Sequence, residues 1–328
     1  AELEDELYYH IFNQFLCFMQ LGATKKYAAE NGVMLMGDIP ILISPDSADV
    51  WSHPDYFDLG FAAGAPPDIF NEEGQYWGFP IYNWKAMEKH DYRWWCDRLK
   101  YAENFYDLYR IDHVLGLFHL WSIPRGKKPS EGSYLPEGAE GVDHGRRLLE
   151  KLVKTTGMMP IAEDIGIIPE AVFQTLHELG IPGTRCIRWQ RNWETDKRYF
   201  PYEEYYPINM TTLSTHDSET VEQWWKDRPD EAKLFCEFKG WKYETPLSYE
   251  KRLEMLRDAH HTPTYFHINL LQEYLALVPE LVWGKPEDER INIPGYVLPT
   301  NWTYRYKPSI NQLITHEALF KEMEKIIK

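Results

Sequence analysis

The chain has 328 residues, 44% of them hydrophobic, which is enough to bury the core of one large α/β domain or two smaller ones. It carries 51 Asp and Glu against 35 Lys and Arg, a net charge of −16. This acidic balance argues against nucleic acid and anionic membranes as partners. The apolar runs are too short for a membrane span or for a secretory signal, so we expect a soluble protein.

Helical and strand patterns alternate along the chain. Residues 11–31 have helical spacing and end at Gly32, and the buried strand "VMLMGDIPILIS" follows. Three further helix-then-strand pairs come next, "YRWWCDRLKYAENF" with "YDLYRID", "GRRLLEKLVKTTG" with "MMPIAEDIG", and "PEAVFQTLHELG" with "GTRCIRWQR". The strand "NMTTLSTHDS", the helix "ETVEQWWKD", a helical region at about 230–280 and a short strand in "ERINIPG" complete the pattern.

This alternation predicts a parallel sheet with right-handed crossovers. We count six strands, two fewer than a closed barrel needs, and the missing two could precede residue 1. Two long loops are predicted, an aromatic one at 47–84 and a polar, Gly-rich one at 122–145, and loops of that length are usually functional or disordered. No linker divides the chain, so we expect one domain with inserted loops.

The cysteines and histidines give no metal signature. Four cysteines are scattered without a CxxC pair or metal-ligand spacing: Cys17, Cys96, Cys186 and Cys236. They indicate free thiols in a reducing compartment, and we expect a cytoplasmic protein. His260 and His261 have the pattern of a solvated helix surface, so no metal site is predicted.

Four acidic residues fall at the predicted carboxyl ends of strands: Asp38, Asp112, Glu163 and Asp217. In a parallel barrel these strand ends meet at one mouth, so we expect the four carboxylates to lie together. Retaining cleavage of a glycosidic bond needs two carboxyl groups about 5 Å apart, one as nucleophile and one as acid. Each acid taken alone could be an exposed strand end or a helix N-cap, but the set of four favours glycoside chemistry.

Basic residues accompany two of these acids. Arg110 lies two residues before Asp112, so strand alternation turns both side chains to one face, where the guanidinium can keep the carboxylate ionised. An ion pair that only stabilises the fold is the alternative. His216, next to Asp217, can donate to a sugar hydroxyl, although a structural role is commoner for a lone histidine.

Seven motifs between about residues 8 and 306 resemble, in order, those of the 4-α-glucanotransferases of glycoside hydrolase family 77, also called amylomaltases or disproportionating enzymes. They are "GDIPILIS…DSADVW", "GAPPDIFNEEGQYWGFPIYNW", "YRIDHVLG", "PIAEDIGIIPEAV", "IPGTR", "LSTHDSET" and "ERINIPG…NW". The resemblance implies a (β/α)8 TIM barrel of the α-amylase type with inserted loops. Residues 1–328 would be the C-terminal part of that catalytic domain, lacking its first two strands.

The resemblance also implies a retaining double displacement without a metal or organic cofactor. It moves an α-1,4-glucan segment from a donor to glucose or a maltooligosaccharide acceptor. Asp112 would be the nucleophile, Glu163 the general acid and base, and Asp217 the carboxylate that holds the sugar hydroxyls and stabilises the transition state. Further substrate-binding residues implied by the resemblance are Asp38, Arg110, His216, Phe70, Gln75, Trp77 and Asn292.

Phe70, Gln75 and Trp77 would belong to a lid that keeps water from the glycosyl-enzyme until an acceptor arrives. Ile69 stands where family members often have Tyr, which removes support for one stacking contact but not for the chemistry. Two alternatives remain open. One is an α-glucan hydrolase on the same barrel, and the other is a glucan-binding module without turnover.

Overall fold

The computed structural model describes residues 3–67, 72–193 and 195–328. The chain forms two compact units, Ala1–Pro182 and Gly183–Lys328. Each unit has its own three-stranded parallel sheet and its own cluster of buried apolar side chains. The single catalytic domain proposed for residues 1–328 stays a prediction.

The first unit alternates helices and strands. Its helices are α1 Glu4–Glu30, α2 Ala48–Ser52, α3 Trp84–Lys89, α4 Arg93–Ala102, α5 Gly138–Val153 and α6 Glu170–Glu178. Its strands are β1 Met36–Ile39, β2 Phe57–Asp58, β3 Phe61–Ala65, β4 Gln75–Tyr76, β5 Ile81–Tyr82, β6 Leu108–Ile111, β7 Leu120–Pro124, β8 Ser133–Leu135 and β9 Met159–Ala162.

The parallel sheet of the first unit has the strand order β1-β6-β9. Helix α4 precedes β6 and α5 precedes β9, so the predicted helix-then-strand pairs are confirmed here. The register aligns Ile39 with Ile111 and Ile111 with Ala162, so the three strands end at the same level. Residues that directly follow these strands therefore meet at one edge of the sheet.

The predicted loops at 47–84 and 122–145 contain regular structure and are joined to each other. Strand β3 of the first loop pairs antiparallel with β4 and with β7, and β7 pairs with β8, giving the order β4-β3-β7-β8. The core of this sheet includes Ala62, Ala63 and Ile123, all fully buried. The sequence did not indicate the pairing of β3 with β7, because these strands lie some sixty positions apart in the chain and a local pattern does not show such a contact.

Helix α5 carries the core of the first unit on one face. Leu148, Leu149 and Leu152 are at most 1% exposed, and burying each such side chain contributes roughly 1.5–3 kcal/mol. Gly145 lets the Phe118 ring approach the helix, since a Cβ there would lie 2.3 Å from that ring. This close packing fixes α5 against the segment that follows β6.

Helix α1 exposes most of its apolar side chains. It begins at Glu4, earlier than the predicted 11–31, and Ala28 is its buried residue. Tyr8, Ile11 and Phe15 are each more than half exposed. In the part of the chain that the structure describes, no helix is both long enough and apolar enough to cross a membrane.

The second unit also alternates strands and helices. Its strands are β10 Gly183–Cys186, β11 Asn209–Thr212 and β12 Phe266–His267. Its helices are α7 Val221–Asp227, α8 Pro229–Lys239, α9 Tyr249–His261, α10 Leu271–Leu275, α11 Ile310–Leu313 and α12 Glu317–Ile327. The strands form a parallel sheet in the order β10-β11-β12.

One predicted strand is wrong. The last strand was expected in "ERINIPG" at 289–295, but this segment has no strand, and the third strand of the sheet is β12. The main-chain amide of Asn292 donates to the carbonyl of His216, so this segment bonds to a loop after β11 and not to a strand ladder. The helical region expected at about 230–280 is divided into α8, α9 and α10.

Candidate active site

Asp112 and Glu163 occupy equivalent places on neighbouring strands. Asp112 directly follows β6 and Glu163 directly follows β9, one residue beyond the aligned pair Ile111 and Ala162. Main-chain donors orient both carboxylates, because the amide of Ile41 donates to Asp112 Oδ2 at 3.1 Å and that of His113 donates to Glu163 Oε2 at 2.7 Å. The two side chains are therefore fixed by the backbone at one edge of the sheet.

A single arginine joins three of the predicted acids. Arg110 Nη1 donates to both oxygens of Asp38, at 2.8 and 2.9 Å, and to Asp112 Oδ1 at 3.0 Å. Its Nη2 donates to Glu163 Oε2 at 2.8 Å. The structure thus brings together Asp38, Arg110, Asp112 and Glu163, which we call the Arg110 cluster.

Charge in this cluster keeps the arginine protonated. Burial acts to lower the pKa of Arg110, but the charges of Glu163, Asp38 and Asp112 outweigh it and raise that pKa above its ordinary value. Three carboxyl groups bond to one guanidinium, so the cluster is negative when two or more of them are ionised. Such a site suits a neutral ligand on which positive charge develops during reaction.

The predicted lid residues that the structure describes reach this cluster through a histidine. The Trp77 ring meets the His113 ring edge-on, with centroids 5.3 Å apart, and Trp77 Nε1 donates to Gln75 Oε1 at 3.0 Å. Burial lowers the pKa of His113, which favours its neutral form. Phe70 and Ile69 lie outside the described residues.

The loop after β11 in the second unit holds the remaining predicted acid. Asn292 Nδ2 donates to Asp217 Oδ1 at 2.7 Å, and His216 Nε2 lies 3.4 Å from Asp217 Oδ2. Arg290 Nη2 donates to the main-chain carbonyl of Asp217 at 3.2 Å. We call residues 215–219 the Asp217 loop. Asn292, predicted to bind substrate, thus contacts this carboxylate directly.

The sequence did not indicate an ion cluster that includes Glu219 of the Asp217 loop. Arg188 is fully buried and lies 3.3 Å from Glu219, and Arg290 Nη1 donates to the other oxygen of Glu219, also at 3.3 Å. Burial acts to raise the pKa of Glu219, but the charges of Arg188 and Arg290 outweigh it, so the pKa lies below its ordinary value. The quoted motifs contained Glu219 and Arg290, but nothing in their spacing revealed this contact.

Among the residues that the structure describes, no group of three or more His, Cys, Asp or Glu side chains is arranged to hold a metal ion. The acids of the Arg110 cluster are instead paired with a guanidinium and main-chain amides.

A protein-family model matches most of this chain. The model of a family described as 4-alpha-glucanotransferase, glycoside hydrolase family 77, matches residues 1–311. The chain belongs to this family. The resemblance drawn from the seven motifs is therefore confirmed.

Curated relatives agree with the family. The chain is 44% identical to a 4-alpha-glucanotransferase of Chlamydia pneumoniae over 327 residues, which is 99% of this chain and 62% of that protein. It is 32% identical to a 4-alpha-glucanotransferase of Streptococcus pneumoniae over 313 residues, covering 93% of this chain and 58% of the relative. The chain thus spans about three fifths of the length of these relatives.

Solved structures show a similar fold. An amylomaltase from Streptococcus agalactiae in complex with acarbose matches with a TM-score of 0.83 and 27% identity, over 99% of this chain and 63% of that one. An amylomaltase from Corynebacterium glutamicum matches with a TM-score of 0.80 over 99% of this chain and 50% of that one. At 23% identity the second match speaks to the fold alone.

Proposed function

We propose that this chain is part of a 4-α-glucanotransferase that transfers α-1,4-glucan segments by retaining double displacement. The observation that carries the proposal is the Arg110 cluster, in which one guanidinium bonds to Asp112 and Glu163 at the ends of adjacent strands. Paired carboxyl groups on neighbouring strands are what a retaining mechanism needs. Membership of the 4-alpha-glucanotransferase family supplies the reaction class.

In the first step, a carboxylate oxygen of Asp112 forms a bond to the anomeric carbon of the donor while the glycosidic bond breaks. Glu163 gives its proton to the departing glycosidic oxygen. Oε2 of Glu163 accepts bonds from Arg110 and from the amide of His113, and these bonds orient the carboxyl group. Arg110 holds Asp112 through Oδ1, and the amide of Ile41 holds it through Oδ2.

In the second step, the 4-hydroxyl of a glucan or glucose acceptor gives its proton to Glu163 and attacks the anomeric carbon. The bond to Asp112 breaks, and two inversions leave the α configuration unchanged. Water in place of the acceptor would give hydrolysis. Trp77 and Gln75, which reach the cluster through His113, belong to the segment proposed to exclude that water.

Asp217 is proposed to hold the hydroxyls of the reacting sugar and to stabilise its positive charge. The hydrogen bond from Asn292 and the nearby His216 support this role, since they orient the carboxylate. Asp38 is proposed to bind substrate with Arg110, His216 and the lid residues. Phe70 keeps the lid role that the motif implies, although it lies outside the described residues.

The barrel architecture and the cytoplasmic location are also proposals. The two parallel sheets and their alternating helices support a (β/α)8 barrel, and the similarity to amylomaltase structures supports it further. Completion of that barrel by strands outside this chain fits the share of its relatives that the chain spans. A cytoplasmic location remains a prediction from the scattered cysteines, and neutral glucans remain the predicted donor and acceptor.

The test is incubation of the intact protein with maltotriose, followed by separation of the products. Transfer gives glucose together with oligosaccharides longer than maltotriose. Products that are only shorter than maltotriose would support the hydrolase alternative. Binding to amylose without any product would support the glucan-binding module and end the proposal.

A further inference from the structure

Trp302 combines two features that a folded protein usually avoids. Its backbone has φ +60°, the left-handed conformation that costs a bulky L-residue about 1–3 kcal/mol. The residue is also 62% exposed, so burial of its ring does not offset that cost. Strained residues of this kind persist where function requires them.

Hydrogen bonds hold the strained backbone in place. The amide of Trp302 donates to the carbonyl of Ile291 at 2.8 Å. The neighbouring Asn301 accepts from the amide of Ile293 at 3.2 Å and donates to the carbonyl of that same residue at 3.3 Å. The indole is therefore presented by a loop tied on both sides of Asn292, and a ligand would meet it already oriented.

This loop also places the indole beside the Asp217 loop. The Trp302 ring contacts the His216 ring, with centroids 5.3 Å apart and planes inclined by 44°. The Nε2 atom of His216 lies 3.4 Å from Asp217 Oδ2. The exposed Trp302 ring thus contacts His216, and His216 lies next to Asp217, the carboxylate proposed to hold a sugar.

We propose that Trp302 is the stacking platform for one glucosyl ring of the substrate, in a subsite next to the sugar held by Asp217. A flat indole offers an apolar face for the C–H groups of a pyranose and leaves the sugar hydroxyls free to bond at its edges. This inference rests on the proposed function, because it takes the ligand to be an α-glucan.

The test uses two variants of the intact protein and one matched control. Trp302→Gly removes the ring and places at this position the residue that adopts φ +60° most readily, so folding is preserved. Trp302→Phe keeps an aromatic face. Tyr265→Ala is the control, because Tyr265 is 70% exposed and its amide bonds to Pro207, before β11, whereas the Asp217 loop follows β11.

For Trp302→Gly we expect the KM for maltoheptaose to rise by roughly threefold to tenfold, as loss of one aromatic contact implies. We expect kcat to stay within about twofold, because the ring touches no reacting atom. Trp302→Phe should restore most of the affinity, and Tyr265→Ala should leave KM and kcat unchanged. The melting temperature of Trp302→Gly should equal or exceed that of the parent protein.

An unchanged KM in a well-folded Trp302→Gly variant of an active protein would overturn the inference. A fall in kcat with a lowered melting temperature that Trp302→Phe does not restore would assign the ring a structural role instead. If the parent protein produces no longer oligosaccharides from maltotriose, the proposed function fails, and that result is distinct from either outcome for Trp302.

Discussion

The Arg110 cluster and the Asp217 loop hold their carboxylates by different means. In the cluster, a charged guanidinium bonds to three acids at distances of 2.8–3.0 Å. In the loop, the neutral amide of Asn292 bonds to Asp217, while the nearby cation Arg290 bonds to the main-chain carbonyl. Guanidinium groups therefore bond to all three carboxylates of the first region. In the second region they bond to Glu219 and to the main chain of Asp217, whose carboxylate accepts a bond from a neutral amide.

The kind of donor determines what each region can contribute to the reaction. A guanidinium that stabilises several carboxylates changes which protonation states they adopt, whereas a neutral amide fixes the direction of a carboxylate with less effect on its charge. We therefore expect substitutions in the Arg110 cluster to change the pH dependence of the reaction. Substitutions that remove the bond from Asn292 to Asp217 should change the rate or the affinity with little change in pH dependence.

The largest expected effect belongs to Asp112→Asn. Loss of the nucleophile should lower kcat by about 10⁴-fold or more, while maltoheptaose still binds with an affinity within about threefold of the parent protein. Asp97→Asn on the surface of α4 is the matched control, since its carboxylate pairs only with exposed helix neighbours among the contacts described. Normal turnover by the Asp112 variant would end the mechanistic proposal.

Arg110→Gln is expected to have the next largest effect. Without the guanidinium, the carboxylates of the cluster repel one another, so kcat/KM should fall by about 10²-fold and the acid limb of the pH profile should move to higher pH. Arg110→Lys should restore part of the activity, because it keeps the charge but not the two-nitrogen geometry. An acid limb that stays in place in Arg110→Gln would remove the distinction between the two regions.

Asn292→Ala should have a smaller effect of a different kind. It removes the 2.7 Å hydrogen bond to Asp217, and we expect kcat/KM to fall by about tenfold with the acid limb unchanged. Asn292→Asp is the companion variant, because it places a like charge against Asp217 and should be worse than Ala. Equal shifts of the pH profile in Asn292→Ala and Arg110→Gln would show that both regions act through charge.

The smallest expected effect concerns the stability of the folded chain in acid, which is a different quantity from the pH dependence of kcat/KM. His144 is buried against Trp84 and Tyr92, and burial lowers its pKa to about 4. Below pH 6.5 the unfolded chain therefore binds more protons at this position than the folded chain, and the free energy of unfolding falls. Between pH 7 and pH 5 this histidine should account for about 2 kcal/mol of that loss.

Urea unfolding at pH 7 and pH 5 checks this point. His144→Phe, which cannot be protonated, should lose less stability over that interval than the parent protein. An equal loss of stability in His144→Phe would mean that another group causes the acid sensitivity.

The sequence predicted those parts of the fold that have a local signal. The strands ending before Asp112 and Glu163 follow amphipathic helices and are mostly apolar, so their positions and parallel order were predictable. Strand β12 has two residues, too few for a periodicity. The apolar residues of "INIP" resemble a strand, but the amide of Asn292 in this segment donates to His216 of the Asp217 loop. The pairing of β3 with β7 depends on contacts between distant residues.

For the candidate site, the sequence predicted one contact between residues of the same strand but none of the contacts between strands. Strand alternation predicted that Arg110 meets Asp112, and their 3.0 Å contact confirms it. Its bonds to Asp38 and Glu163 come from two other strands, and the amides of Ile41 and His113 are main-chain donors. The amino-acid sequence alone shows neither contacts between different strands nor hydrogen bonds from main-chain amides.

The proposed double displacement is tested most directly by trapping its covalent intermediate. The intact protein is incubated with a slow fluorinated α-glucosyl fluoride donor, digested, and its peptides are analysed by mass spectrometry. We predict one glucosyl adduct, on the carboxylate of Asp112, and no adduct in the Asp112→Asn variant. An adduct on another carboxylate, or turnover of the donor by a protein that forms no adduct, would contradict the mechanism.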